Sequence, residues 1–389
     1  MHNFVFQNTT KIYFGENQLE HLGEELKQFG TRVLLTYGGG SIKKIGLYDK
    51  ILEEINKAGL TVFELSGIEP NPRHTTVNKG AEICKKEKID VLLAVGGGST
   101  IDCTKVIAGA AFYDGDSWDL VTHQAPVTKA LPLLSILTLS ATGSEMDAGG
   151  VISNMDTNEK YGLMHPLFQP KVSFLDPAVT YSVNAFQTAC GSADILSHVF
   201  DCFYFTASPK LDMIDRVMED VIKTVVKYAP IAIKEPENYE ARANLMWASS
   251  WALNGFLTTG GYQAPSCHAM EHELSAFYDI THGLGLAILT PRWMEYILDD
   301  STAPQFKKFG VNVFGVDALL SEMAGAKQAI ACLSEFLFKT LGLNSTLTEI
   351  GIDEKDFKRM AQKACGGDVL QGFKPLTPQD VENIFRLCL

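Results

Sequence analysis

"IDVLLAVGGGSTIDCTKVIAGAAF" (89–112) decides the fold. Apolar residues run unbroken over 91–95 and stop at three glycines. A strand buried on both faces of a parallel sheet reads as such a continuous run, not as an alternation. "TIDCTKVIAGAAF" (100–112) then carries helical spacing, so strand, glycine turn and helix follow one another. The order recurs on either side. "TRVLLTYGGGS" (31–41) leads into "IKKIGLYDKILEEINKAG" (42–59), a helical pattern closed by glycine. "LTVFELSG" (60–67) reads as a strand, "HTTVNKGAEICKKEK" (74–88) as a helix, and "LPLLSILTLSATGSE" (131–145) as a strand entering a loop of small residues. Alternating strands and helices predict an α/β domain with a parallel sheet covered by helices.

The texture changes near residue 180. "AFQTACGSADILSHVFDCFYF" (185–205), "LDMIDRVMEDVIKTVVKYAPIAIK" (211–234) and "YEARANLMWASSWALNGFL" (239–257) are long apolar patterns on helical spacing, and strand runs disappear. The expected division is an α/β domain over 1–180 and an all-α domain over 181–389.

Composition narrows the function classes. The chain has 389 residues, 46% apolar and 20% charged, enough for a large core. A net charge of −13 argues against nucleic acid as a partner, which needs a basic footprint. "MHNFVFQNTTKIYFG" lacks the pattern of a signal peptide, and no apolar run reaches the ~18–20 residues of a membrane span. The eight cysteines contain no C-x-x-C pair and read as reduced thiols of a cytoplasmic protein, with Cys267 abutting His268.

Three loops follow apolar strands: Gly38–Gly39–Gly40–Ser41, Gly97–Gly98–Ser99, and 140–145 with Ser140, Thr142 and Ser144. Glycines let a pyrophosphate approach the backbone, and a following helix offers free N–H groups. None is the G-x-G-x-x-G fingerprint, so a dinucleotide would be held in another way. No acid ends the strand before Gly38, where one commonly takes the 2′-hydroxyl of NAD, and Lys43 and Lys44 are near. That pattern predicts NADPH over NADH.

The second half gathers metal-ligand residues. "SADILSH" puts Asp194 and His198 at i, i+4, on one helix face. "SCHAMEHELSAFYDITHG" (266–283) holds His268, His272 and His282, with His268 and His272 again at i, i+4. In one reading Asp194, His198, His268 and His282 bind divalent iron or zinc, and His272 stands by as a proton carrier. In the other, "HAMEH" is an H-x-x-E-H protease motif with Glu271 as base, which leaves Asp194 and His198 without a role.

Together these segments resemble the iron-containing (group III) alcohol dehydrogenases, on the branch of the NAD(P)H-dependent butanol dehydrogenases. The resemblance rests on "GGGSIKKIG" (38–46), "EPNP" (69–72), "GGGSTIDCTK" (96–105), "TLSATGSEMD" (138–147), "DILSH" (194–198), "EARANLMWASSWALNG" (240–255) and "CHAMEHELSAFYDITHG" (267–283), in order along the chain. It implies a Rossmann-like dinucleotide-binding domain followed by a helical domain, also called dehydroquinate synthase-like. It implies metal ligands at Asp194, His198, His268 and His282, and His272 close to the nicotinamide. It places Gly97, Gly98, Ser99 and Asp102 at the pyrophosphate, and Thr138, Ser140 and Thr142 near the cofactor. Lys160 falls at the nicotinamide ribose, with Asn71 and Gly38–Ser41 on the adenosine side. Asp201 stands where the family often has Glu. The implied activity is hydride transfer between NAD(P)H and a small aliphatic aldehyde or primary alcohol. Fe2+ is the expected metal, with Zn2+, Ni2+ or Mn2+ able to replace it in a purified sample, and a homodimer is expected. A dehydroquinate synthase-like lyase is the alternative on the same fold.

Overall fold

The computed structural model describes residues 2–389. Its strands are β1 (Lys11–Phe14), β2 (Arg32–Tyr37), β3 (Thr61–Leu65), β4 (Val91–Gly96), β5 (Leu133–Leu137), β6 (Gly149–Asn154), β7 (Glu159–Met164) and β8 (Val172–Leu175). Six of them form a parallel sheet in the order β1-β8-β5-β4-β2-β3. Both faces are covered, which explains the unbroken apolar runs. On β2, Leu34 faces one core with Leu92, Val77, Ile101 and Ile107. Val33 and Leu35 face the other core with Leu93, Ile51 and Ile55. The pleat sends alternate residues to opposite sides, and each side meets helices.

The chain divides into two compact units. The α/β unit is 7–183 together with 237–254, and the helical unit is the remainder. The sequence expectation put the helix Tyr239–Ala252 in the helical half, but it folds with the sheet. Met246 enters the core beside Leu34 and Leu137, and Ser250 hydrogen-bonds Glu145. Helical spacing reveals an apolar face but not which surface that face covers.

Other departures are local. The pattern at 42–59 splits into helices Ser41–Lys44 and Leu47–Lys57, because Gly46 turns left-handed at φ 72°. The helix begun at Ala185 closes at Val199 in a single wide π turn, Phe200–Tyr204. The antiparallel hairpin β6–β7 was not expected from the sequence. Of the early "FVFQNTTKIYFG" stretch only Lys11–Phe14 is strand. Among the described residues no helix is long and apolar enough to cross a membrane.

Glu145 is fully buried, and burial pushes its carboxyl up to about 7 despite the Ser250 hydrogen bond. A folded-state value above the unfolded 4.5 means the native protein holds a proton that the unfolded chain releases. Stability therefore falls as pH rises from about 4.5 to about 7 and is level above that. Glu145→Gln keeps an acceptor for Ser250 and removes the titration. Thermal melts at pH 5 and pH 8 check this: the variant gains on the wild type at the higher pH.

Candidate metal centre and cofactor loops

In the helical unit, three helices supply the ligand-type side chains. Asp194 and His198 lie one turn apart on Ala185–Val199, whose first turn is capped by Asn184 accepting from the Gln187 N–H. His268 is near the start of Ser266–Tyr278, and His282 opens His282–Ile297. Gly283 makes the arrangement possible. A methyl group there would collide with the Cys190 carbonyl, so only glycine lets the helix begun by His282 lie directly on the helix bearing Asp194.

Asp194 is 3% exposed. Its Oδ1 lies 3.4 Å from His198 Nδ1, 4.0 Å from His268 Nε2 and 3.7 Å from His282 Nε2. The His198 and His268 ring centroids are 4.6 Å apart, and those of His268 and His282 are 5.5 Å apart.

Two carboxylates hold the rings in place. Asp201 takes the Nδ1 side of His268 at 2.9 Å and also accepts the His268 backbone N–H at 3.1 Å. Glu271, with Ser275 donating to it, takes the Nδ1 side of His282. With the Nδ1 edge of each ring given to a carboxylate, the Nε2 edge of both rings faces Asp194. Asp201 and Glu271 are both fully buried. Sequence reasoning gave neither this role: Asp201 was a family departure, and Glu271 the base of a protease motif. A carboxylate three residues beyond His198 and another three beyond His268 were the available signal.

The electrostatics divide the histidines, and a metal would have to displace a proton from His268. Burial, with His268 and His282 as neighbours, pushes His198 well below its ordinary range, so its ring is neutral. Burial also opposes charge on His268, but Asp201 and Cys202 outweigh it and hold that group well above its ordinary value. His268 Nε2 is buried and makes no hydrogen bond, an arrangement that costs free energy unless a cation fills it. Asp194, His268 and His282 bring one carboxylate oxygen and two imidazole nitrogens within 4.8 Å of one another, donor chemistry that suits Fe2+ or Zn2+, with His198 beside Asp194. His272 is partly exposed, its ring 5.8 Å from that of His282. Cys267, singled out beside His268, is fully buried and its thiol is held well above the usual range by burial. Cys202 is the sulfur that reaches His268, at 3.8 Å.

In the α/β unit, β5, β4 and β2 are adjacent and in register, with Gly96 opposite Leu137 and Tyr37 opposite Val95. The loops Gly38–Ser41, Gly97–Ser99 and Thr138–Thr142 therefore leave the sheet at one level, at the carboxyl ends of three neighbouring strands. The strand order reverses between β2 and β4, the place where doubly wound sheets bind ligands. Ser99 Oγ donates to the Pro70 carbonyl, and Lys160 Nζ donates to Asn71 Oδ1 at 3.1 Å, which ties the "EPNP" segment and β7 to the same rim. Asp102 behaves differently from a ligand contact: its oxygens accept from Ser144 Oγ at 2.5 Å and from the Val151 N–H at 3.0 Å.

Comparison with known proteins bears on both units. Residues 9–177 match the model of the iron-containing alcohol dehydrogenases, and 188–389 match that of the family's C-terminal domain. The chain belongs to the iron-containing alcohol dehydrogenase family. It is 50% identical to NADH-dependent butanol dehydrogenase A of Clostridium acetobutylicum, over 99% of each chain. It is 36% identical to the NADPH-dependent aldehyde reductase YqhD of Escherichia coli, over 93% of each. The crystal structure of NADH-dependent butanol dehydrogenase A from Thermotoga maritima superposes with a TM-score of 0.94 at 39% identity, covering 100% of this chain and 99% of that one. The protein is thus an oxidoreductase of the metal-dependent alcohol dehydrogenase and aldehyde reductase type, and neither the lyase nor the protease reading is favoured.

Asp201→Asn weakens the grip on the His268 proton. Metal affinity is expected to fall by about ten- to a hundredfold. Competition with a chelator of known affinity measures it, and unchanged affinity would show that Asp201 does not aim His268.

Proposed function

We propose that the protein reduces a short aliphatic aldehyde of about butanal's size to the primary alcohol, using NADH and a ferrous ion held by Asp194, His198, His268 and His282. The observation that carries this reading is the convergence of Asp194, His268 and His282, with His198 beside Asp194 and a buried carboxylate on the Nδ1 side of His268 and of His282. When bound, the metal supplies Lewis acidity toward the substrate oxygen, and the nicotinamide supplies hydride. The protein's own part is positional and protonic. Asp201 and Glu271 hold the Nδ1 protons of His268 and His282. His272, one turn beyond His268 and partly exposed, carries a proton on its ring between solvent and the nascent alcohol. Gly97, Gly98, Ser99, Thr138, Ser140 and Thr142 cradle the pyrophosphate and nicotinamide side, with Lys160 at the ribose. Gly38–Ser41 and Asn71 take the adenosine side.

The sequence alone favours NADPH, since no acid ends β2. Folding brings one in from β3. Glu64 accepts from Tyr37 Oη at 2.6 Å and from Tyr48 Oη at 2.7 Å, beside the Gly38 loop. The Lys43 ammonium lies over both tyrosine rings, at 5.1 and 4.3 Å from their centroids. A carboxylate there suits a ribose hydroxyl and disfavours a 2′-phosphate. The names of the Clostridium and Thermotoga relatives support the same choice. A cytoplasmic homodimer accompanies this reading; β1 ends the sheet with one edge uncovered and Phe14 exposed on it.

The test begins with metal-stripped protein, restored anaerobically with ferrous iron and given butanal. Absorbance at 340 nm should fall with NADH faster than with NADPH. Asp194→Ala should abolish the signal, and His272→Ala should slow turnover with metal content intact. Faster NADPH oxidation would reverse the cofactor assignment. No oxidation of either cofactor, across metals and aldehydes, would reject the proposed reaction.

A further inference from the structure

Lys105 is wholly buried in the α/β unit, on the helix Gly98–Ala110 that follows the second glycine loop. A buried ammonium is tolerated only when its three donors find acceptors. They do: Ser144 Oγ at 2.8 Å, Asp147 Oδ1 at 2.6 Å and the Gly149 carbonyl at 2.7 Å. All three belong to one short segment, the continuation of the third loop. One turn earlier on the helix, Asp102 grips the same segment through Ser144 and Val151. Ser144 is 1% exposed, and its hydroxyl accepts from Lys105 while donating to Asp102. The residue that reads in the sequence as a hydroxyl for the cofactor is therefore turned inward.

The clamp reaches the glycine loop through two more contacts. The Ser144 N–H donates to Thr142 Oγ1 at 3.2 Å. Thr142 in turn packs so closely on Gly98 that a methyl group on that glycine would collide with it. A chain of contacts thus runs from the buried ammonium through Ser144 and Thr142 to the backbone of the second loop.

We propose that Lys105 is a positioning residue for the cofactor: acting through Ser144, it sets the spacing between the Gly97–Ser99 and Thr138–Thr142 loops so that both close on one dinucleotide. This rests on the reading that those loops hold the cofactor. Lys105 itself touches no substrate or cofactor in this scheme.

Ser144→Ala cuts the link while leaving the ammonium two acceptors. In the iron-loaded enzyme the KM for NADH is expected to rise about tenfold, with kcat at saturating NADH within about twofold of the wild type and metal content unchanged. Lys105→Met should move the KM the same way and further, with folding followed by circular dichroism. Gly98→Ala serves as the control on the loop itself. If Gly98→Ala raises the KM and Ser144→Ala does not, the role of Lys105 is overturned. If neither Gly98→Ala nor Gly97→Ala moves the KM, the loops do not hold the cofactor, and the inference falls with that reading. A fall in melting temperature for Ser144→Ala with an unaltered KM would reduce the clamp to a structural one and reject the proposal.

Discussion

The helical unit is organised around a carboxylate that cannot stay buried alone. Asp194, 3% exposed, has ring nitrogens of three histidines within 4.0 Å. A buried carboxylate among imidazoles needs partners that fix each proton's place. The rest follows from that demand. Two helices approach to backbone contact at Gly283 and Cys190. A third starts where Asp201 can take both the backbone N–H and the ring of its histidine. The wide turn at Phe200–Tyr204 carries Asp201 on past the end of the helix Ala185–Val199. Wide turns of this type are rare and concentrate at functional sites.

The α/β unit solves a related problem with the opposite sign. Its buried cation is a lysine with permanent partners, and it holds loops rather than a ligand. One unit thus keeps a polar core whose donors are all satisfied, and the other keeps one with a buried ring nitrogen, His268 Nε2, that makes no hydrogen bond. Fully satisfied buried networks rigidify a core.

Much of this was readable. The apolar runs at 33–35 and 91–95 gave the parallel sheet because both faces of each strand are covered. The i, i+4 spacing of Asp194 and His198 placed those two side chains together, since helical period alone sets which side chains share a face. What was not readable depended on partners distant in sequence. Asp201 meets His268 across 67 positions, and no local pattern encodes that pairing. Glu64 reaches Tyr37, the last residue of β2, from the neighbouring strand, so searching the end of β2 for an acid could not find it. The hairpin β6–β7 hid because "GGVISNMDTNEKYGLM" is rich in Gly, Asn, Asp, Glu and Lys, residues that disfavour strands.

The excursion of the chain out of the α/β unit at Asn184 and back at Glu237 has a consequence for biosynthesis. Synthesis runs from the N-terminus, and domains generally fold as units while it proceeds. When Val183 leaves the ribosome every strand of the sheet is present, yet the helix Tyr239–Ala252 has not been made. Until it arrives, Met246 is missing from the core that holds Leu34 and Leu137, and Glu145 lacks the Ser250 hydroxyl. The arrival of that helix both fills the apolar core and buries Glu145 beside Ser250, so closing this core and raising the pKa of the carboxyl are coupled.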